Sequence, residues 1–145
     1  MDSELVKALS EFFSCWPGAA YGPISEAELE KEESDLGIRL PEDYRDFILR
    51  YGGAVVGNSV IYGTRQSEFG ACDPVSFAAQ TRIFRKEVPL DFAEMVVISV
   101  DQSGNPIGFI SNDNVVFVYD FDFGGRLTLA ESFSDFIRQC LPTRE

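Results

Sequence analysis

Three β-rich runs, Met95 to Val100, Ile107 to Ile110 and Val115 to Phe121, follow one another across connections of only six and four residues. Parallel pairing needs a crossover of a dozen or more residues, so connections this short impose an antiparallel meander. The connections themselves, Asp101-Gln102-Ser103-Gly104-Asn105-Pro106 and Ser111-Asn112-Asp113-Asn114, are built from turn-forming residues. Within the last run Val116, Val118 and Asp120 alternate with Val115, Phe117, Tyr119 and Phe121. That alternation predicts one largely apolar face and one that ends in a carboxylate.

Helices are expected on both sides of this meander in the chain. Leu5, Val6, Leu9, Phe12 and Phe13 form one apolar stripe, which predicts an amphipathic helix ending before Trp16-Pro17-Gly18. Ser25 and Glu28 have capping-box spacing, with Ile24 and Leu29 placed for a hydrophobic staple, so a second helix starts at Glu26 and stops at Gly37. Pro41 suits the first turn of a third helix, where Glu42 and Asp43 meet the positive end of the dipole, and Gly52-Gly53 closes it. Tyr44, Phe47, Ile48 and Tyr51 give that helix a core face. A strand is expected around Val60 to Tyr62, then an irregular stretch to Pro74. Next comes a short helix in which Val75, Ala79 and Ile83 recur every four residues. A last helix begins near Glu131 and carries Phe133, Phe136, Ile137 and Cys140 at core spacing. With 145 residues, split halves would bury too little apolar surface, so one domain over residues 1–145 is expected, of class α+β.

The chain holds 24 acids against 12 bases and no histidine, for a formal charge of −12. Such a charge repels nucleic-acid phosphates and anionic membranes and favours a basic partner. No apolar run approaches the ~18 residues that cross a bilayer, and the first residues lack a basic start and apolar core, so a soluble cytoplasmic protein is expected. Cys15, Cys72 and Cys140 are widely spaced and odd in number, which predicts buried reduced thiols rather than a disulfide framework or zinc site. Without histidine, Ser-His-Asp and Cys-His catalysis and His-containing metal sites are excluded. Asp120 with Asp122 is the obvious carboxylate pair for glycoside hydrolysis, and with Asp113 for a calcium or magnesium ion, but the spacing matches no calcium loop. Asp122-Phe123-Gly124 spells a kinase tripeptide without the remaining kinase signatures, and no phosphate-binding glycine loop is present.

Several segments in fixed order carry a resemblance. Ile24 to Glu30, Gly37 to Phe47, Tyr51-Gly52-Gly53, Thr81 to Arg85, Asp101 to Asn105 and Ala130 to Phe133 together resemble the SUKH superfamily over roughly residues 20 to 141. Ser111 stands where many members carry an acid after the second strand of the meander, with Asp113 nearby. The resemblance implies helices packed on an antiparallel sheet and a bacterial immunity protein that binds and blocks a cognate toxin. A fungal regulator of cell-wall synthesis, an interaction hub, shares the fold, so an intracellular scaffold is the first alternative. A carboxylate-dependent enzyme or ion-binding protein is the second.

Binding without reaction chemistry or cofactor is therefore the expected role, with the oligomeric state open. Residues 1 to 50 hold twelve acids and five bases, and residues 101 to 135 hold six acids and one base. The second group is favoured as the partner surface because Asp101, Asp113, Asp120 and Asp122 fall at strand ends and turns of a rigid sheet. Glu68, Asp73 and Tyr62 are secondary candidates. If the toxin is a nuclease, such a surface would occupy a basic cleft in place of the nucleic-acid backbone.

Overall fold

The computed structural model describes residues 1–64 and 76–142. Helices α1 (Ser3–Cys15), α2 (Glu26–Leu36) and α3 (Glu42–Tyr51) come first, then a hairpin of β1 (Ala54–Val56) and β2 (Ser59–Ile61). Helix α4 (Phe77–Arg85) and a 3-10 turn (Leu90–Phe92) lead into β3 (Met95–Val100), β4 (Pro106–Ile110), β5 (Val116–Asp120) and β6 (Gly125–Ala130), and α5 (Phe133–Cys140) follows. The last four strands form one antiparallel sheet in chain order, as the short connections required, and the architecture is α+β.

Local chemistry places the helices. Asp2 caps α1 by accepting from the Leu5 amide at 2.8 Å, and Ser25 caps α2 by accepting from the Glu28 amide at 3.2 Å. Ile24 and Leu29 are both buried, as a staple requires. Gly37 ends α2 and Gly52 ends α3, each in the left-handed conformation (φ 64° and 70°) that glycine adopts without a Cβ clash. Pro41 sits one position earlier than the sequence suggested, as the residue before α3 rather than in its first turn.

The core forms where α3, α4 and α5 meet β4. The Tyr44 ring lies edge-on to Phe77, Phe109 and Phe133 at 5.9, 5.7 and 5.0 Å between centroids, and its hydroxyl donates to the Tyr62 carbonyl at 2.7 Å. Each such ring contributes about 1.5–3 kcal/mol by burial alone.

Two expectations are corrected, the buried face of the fourth helix and the burial of the thiols. The fourth helix buries Phe77, Ala78 and Thr81 rather than the Ala79–Ile83 stripe, and Ile83 is 47% exposed; Val75 lies outside the described residues. Thr81 belongs inside because its hydroxyl accepts from the Val97 amide at 2.9 Å, at the bulge between Val97 and Ser99 where β3 leaves the ladder. The β5 strand is buried on both faces up to Asp120, where the second face ends in its carboxylate. Val118 shares the face of its partner Ile107 and hence of Phe109, while Phe117 and Tyr119 lie beneath Phe92 at 6.0 and 4.8 Å. Arg126 also covers Phe117, its guanidinium carbon 4.3 Å from the ring centre. Of the thiols, Cys15 is exposed and Cys140 half-buried, both free.

The two edges of the large sheet differ. Beside β3 run α4 and the end of the small hairpin, where the Tyr62 amide donates to Ile98 at 2.8 Å and the Ser99 hydroxyl to Val60 at 2.6 Å. Among the described residues the β6 edge pairs only with β5, although the Gln139 side chain donates to the Leu129 carbonyl at 3.0 Å.

Burial raises the pKa of Tyr21, Tyr44, Tyr51 and Tyr62, four of the five tyrosines. The unfolded chain then loses phenolic protons at a lower pH than the native protein does. The stability tied to these groups is full below about pH 10 and falls as the pH rises beyond it. Urea denaturation as a function of pH should show this alkaline decline, and Tyr44→Phe should flatten it while lowering stability near neutrality by about 1–3 kcal/mol through the unpaired Tyr62 carbonyl.

Candidate functional site

In a four-stranded meander the first and third turns share one end of the sheet and the second lies at the other. Asp101, Asp120 and Asp122 therefore fall together and Asp113 falls apart from them. The signal that separates them, the parity of successive hairpins, was present in the strand order expected from the sequence.

At the shared end the carboxylates first hold the backbone. Asp101 Oδ1 accepts from the amides of Ser103 and Asn105 at 2.9 and 2.8 Å, and its Oδ2 from the Asn105 side chain at 3.1 Å. Asp120 Oδ1 accepts from the amides of Asp122 and Phe123 at 2.9 and 3.0 Å, and Gly124 closes the turn at φ 76° with its amide on the Asp120 carbonyl at 2.8 Å. These are aspartate turns of the ordinary kind. Asn105, 6% exposed, joins the two: its Oδ1 accepts from the Phe121 amide at 3.1 Å. Asp122 projects into solvent.

What the sequence reading missed is the apolar part of this end. Phe121 and Phe123 alternate with the acids and are 41% and 70% exposed, and Leu90, two residues from Phe92, is 92% exposed. Phe92, Tyr119 and Phe121 form a ladder of rings at 4.8 and 5.3 Å that runs from the covered sheet face to the exposed tip. Exposed aromatic side chains on a hydrogen-bonded turn, ringed by carboxylates, are suited to a desolvated contact with a basic rim.

The remaining candidates lie elsewhere. Asp113 turns β4 into β5, accepting from the Val115 amide at 3.1 Å, and faces a cleft shared with Arg39, Leu40, Pro41 and Glu42. Ser111, in place of the acid of many members, accepts from the Arg39 amide at 3.4 Å. Tyr62 is corrected as a contact residue: it is 8% exposed and its main chain is engaged on both sides by Ile98 and Tyr44, so it belongs to the core. Glu68 and Asp73 lie outside the described residues. Asp113 and the Asp120–Asp122 pair cannot converge on one ion, and no group of three or more potential ligands gathers among the described residues. In the other acidic segment Glu33 is structural, paired with Arg45 at 2.8 Å and accepting from the Leu40 amide at 3.3 Å.

Asn105→Ala removes the tie between the two turns. It is expected to lower stability by about 1–3 kcal/mol and to speed amide exchange at Phe121, which hydrogen–deuterium exchange would read. Unchanged exchange there would mean that the tip is held by other contacts.

Helices packed on an antiparallel meander define an α+β domain, with turn-borne aromatics and acids displayed at one end. The model of the SMI1 / KNR4 family (SUKH-1) matches residues 23–139, from just before α2 to the last turn of α5, and the chain belongs to this family. It is thus an immunity-protein-like or SMI1/KNR4-type domain, of a family that is generally non-enzymatic. No curated protein matches the chain. Among the described residues no helix is long and apolar enough to cross a membrane.

Proposed function

We propose that this protein is a cytoplasmic immunity protein that binds one cognate toxin and blocks its active site, without cofactor or reaction of its own. The observation that carries the reading is the pairing of Phe121 and Phe123, both exposed, with Asp101, Asp120 and Asp122 on two turns locked together by Asn105. The rings supply apolar area to be desolvated, and the carboxylates with the net charge of −12 steer a basic partner and set its orientation. A nuclease toxin fits this chemistry best, because its phosphate-binding cleft is basic and the acidic tip would take the place of nucleic acid.

The test is capture of partners from the native host, identification by mass spectrometry, and assay of the captured protein. A single stoichiometric basic partner whose toxic activity is abolished by an equimolar amount of this protein, with association slowed by salt, is the expected result. Many weak partners and no inhibited activity would replace the reading with an intracellular scaffold of the same family.

A further inference from the structure

Two arginines among the described residues are half-buried, Arg45 and Arg85, and only Arg45 has a carboxylate within ion-pair distance there. Arg45 meets Glu33 at 2.8 Å. Arg85, at the last turn of α4, donates from Nε to the Met95 carbonyl at 3.4 Å, and its terminal nitrogens meet no acceptor among the described residues. Burial pulls its pKa below the ordinary arginine value, while Glu94 attracts it from beyond ion-pair distance.

Arg85 lines a polar cleft of about 360 Å3 together with Gly37, Ile38, Glu94, Ser111 and Asn112. Four separate segments build it: the end of α2, the end of α4, the approach to β3 and the turn from β4 to β5. Asn112 is held at φ 69°, and Ser111 Oγ accepts from the Arg39 amide at 3.4 Å, which leaves its hydroxyl hydrogen to donate. Among the described residues no carboxylate comes within ion-pair distance of Arg85, so its terminal nitrogens, half removed from water, stand open to a further acceptor.

We propose that this cleft binds a carboxylate of a partner, held by the fork of Arg85 with Ser111 and Asn112 as further donors. Glu94 in the same cleft repels a second negative charge, so a singly charged carboxylate is favoured over phosphate. A chain terminus and an acidic side chain share that chemistry. The cleft lies at the opposite end of the sheet from Phe121 and Phe123, so this site and the proposed toxin contact can fail separately.

The test is a nuclear magnetic resonance titration of the full chain with acetyl-diglycine, its C-terminal amide, acetyl-aspartate amide and inorganic phosphate. At least one carboxylate should give saturable shifts at Ser111, Asn112 and the Arg85 Nε, with a Kd on the order of 1 mM, and the uncharged diglycine amide none. A response to acetyl-diglycine alone identifies a chain terminus as the ligand, and a response to acetyl-aspartate amide alone identifies a side chain. Arg85→Gln should weaken binding about tenfold or more. Glu94→Gln should strengthen it and admit phosphate, a gain that a misfolded protein would not show. Equal binding of phosphate by the native protein, the same shifts from the diglycine amide, or unchanged affinity in Arg85→Gln would each overturn the proposal.

Discussion

Gly108→Ala should remove more than about 4 kcal/mol of stability and leave little folded protein at 25 °C. A Cβ built at Gly108 would overlap the Val96 carbonyl oxygen, approach the Val96 carbonyl carbon to 2.8 Å and the Val97 Cα to 3.2 Å. All three are backbone atoms of the neighbouring strand, so no rotamer change relieves the contact. The crowding has a structural origin. Beside Gly108 the β3 strand departs from regular pairing, the Val97 amide turns to Thr81 on α4, and the main chain comes close over β4. Gly104→Ala is the control, because a Cβ there meets no atom within 4 Å and only the left-handed φ of 84° opposes it. That substitution should lower stability by about 1–2 kcal/mol. Urea denaturation of the two variants checks the difference, and a cooperative transition near the native midpoint for Gly108→Ala would mean that the strands can separate at little expense.

The second large effect belongs to the tip. Phe121→Ala with Phe123→Ala should weaken the proposed toxin complex by about 2 kcal/mol or more per ring, roughly thirtyfold each, chiefly through faster dissociation. Stability should move by less than the binding does, since Phe123 is 70% exposed and Phe121, at 41%, packs on the Tyr119 ring alone among the aromatic side chains of the described residues. Asp122→Lys should act differently, slowing association and reducing its salt dependence with the fold intact. Asp120 needs the gentler change to Asn, which keeps an oxygen for the amides of Asp122 and Phe123 while removing the charge. Surface plasmon resonance at two salt concentrations separates these effects. An unaltered dissociation rate in the double phenylalanine variant would move the interface away from this end of the sheet.

The sequence disclosed those parts of the fold that are set by chemistry within a few residues. Ser25, Gly37 and Gly52 act through their own backbone neighbours, and the helices they bound lie where the pattern put them. The meander was legible because connection length alone decides between parallel and antiparallel pairing. Short or edge elements that carry no core face of their own were not. Strand β1 has three residues and exists through its pairing with β2, and β6, Gly125 to Ala130, is an edge strand with an exposed middle that shows no core face. The α4 face was misread because Thr81 counts as polar in any periodicity, yet it is buried by a hydrogen bond to a strand sixteen residues on. At the candidate site, the acids were visible as turn formers. Their division between two ends followed from topology, and the exposure of Phe121 and Phe123 from the lack of a covering element among the described residues. Asp43 shows the same limit: read as a dipole partner of its own helix, it also accepts from the amide and hydroxyl of Ser134 at the start of α5, at 2.8 and 2.9 Å.

The turn between β5 and β6 separates what shapes it from what it displays. Its course is set by Asp120, Asn105 and Gly124 through main-chain hydrogen bonds, the Phe121 ring packs on Tyr119 at 5.3 Å, and among the described residues no hydrogen bond that holds the turn comes from the side chains at 122 or 123. Asp122 and Phe123 can therefore be rewritten without recasting the scaffold, so on the proposed reading a lineage confronting a changed adversary alters its recognition specificity at two codons while inheriting the same fold.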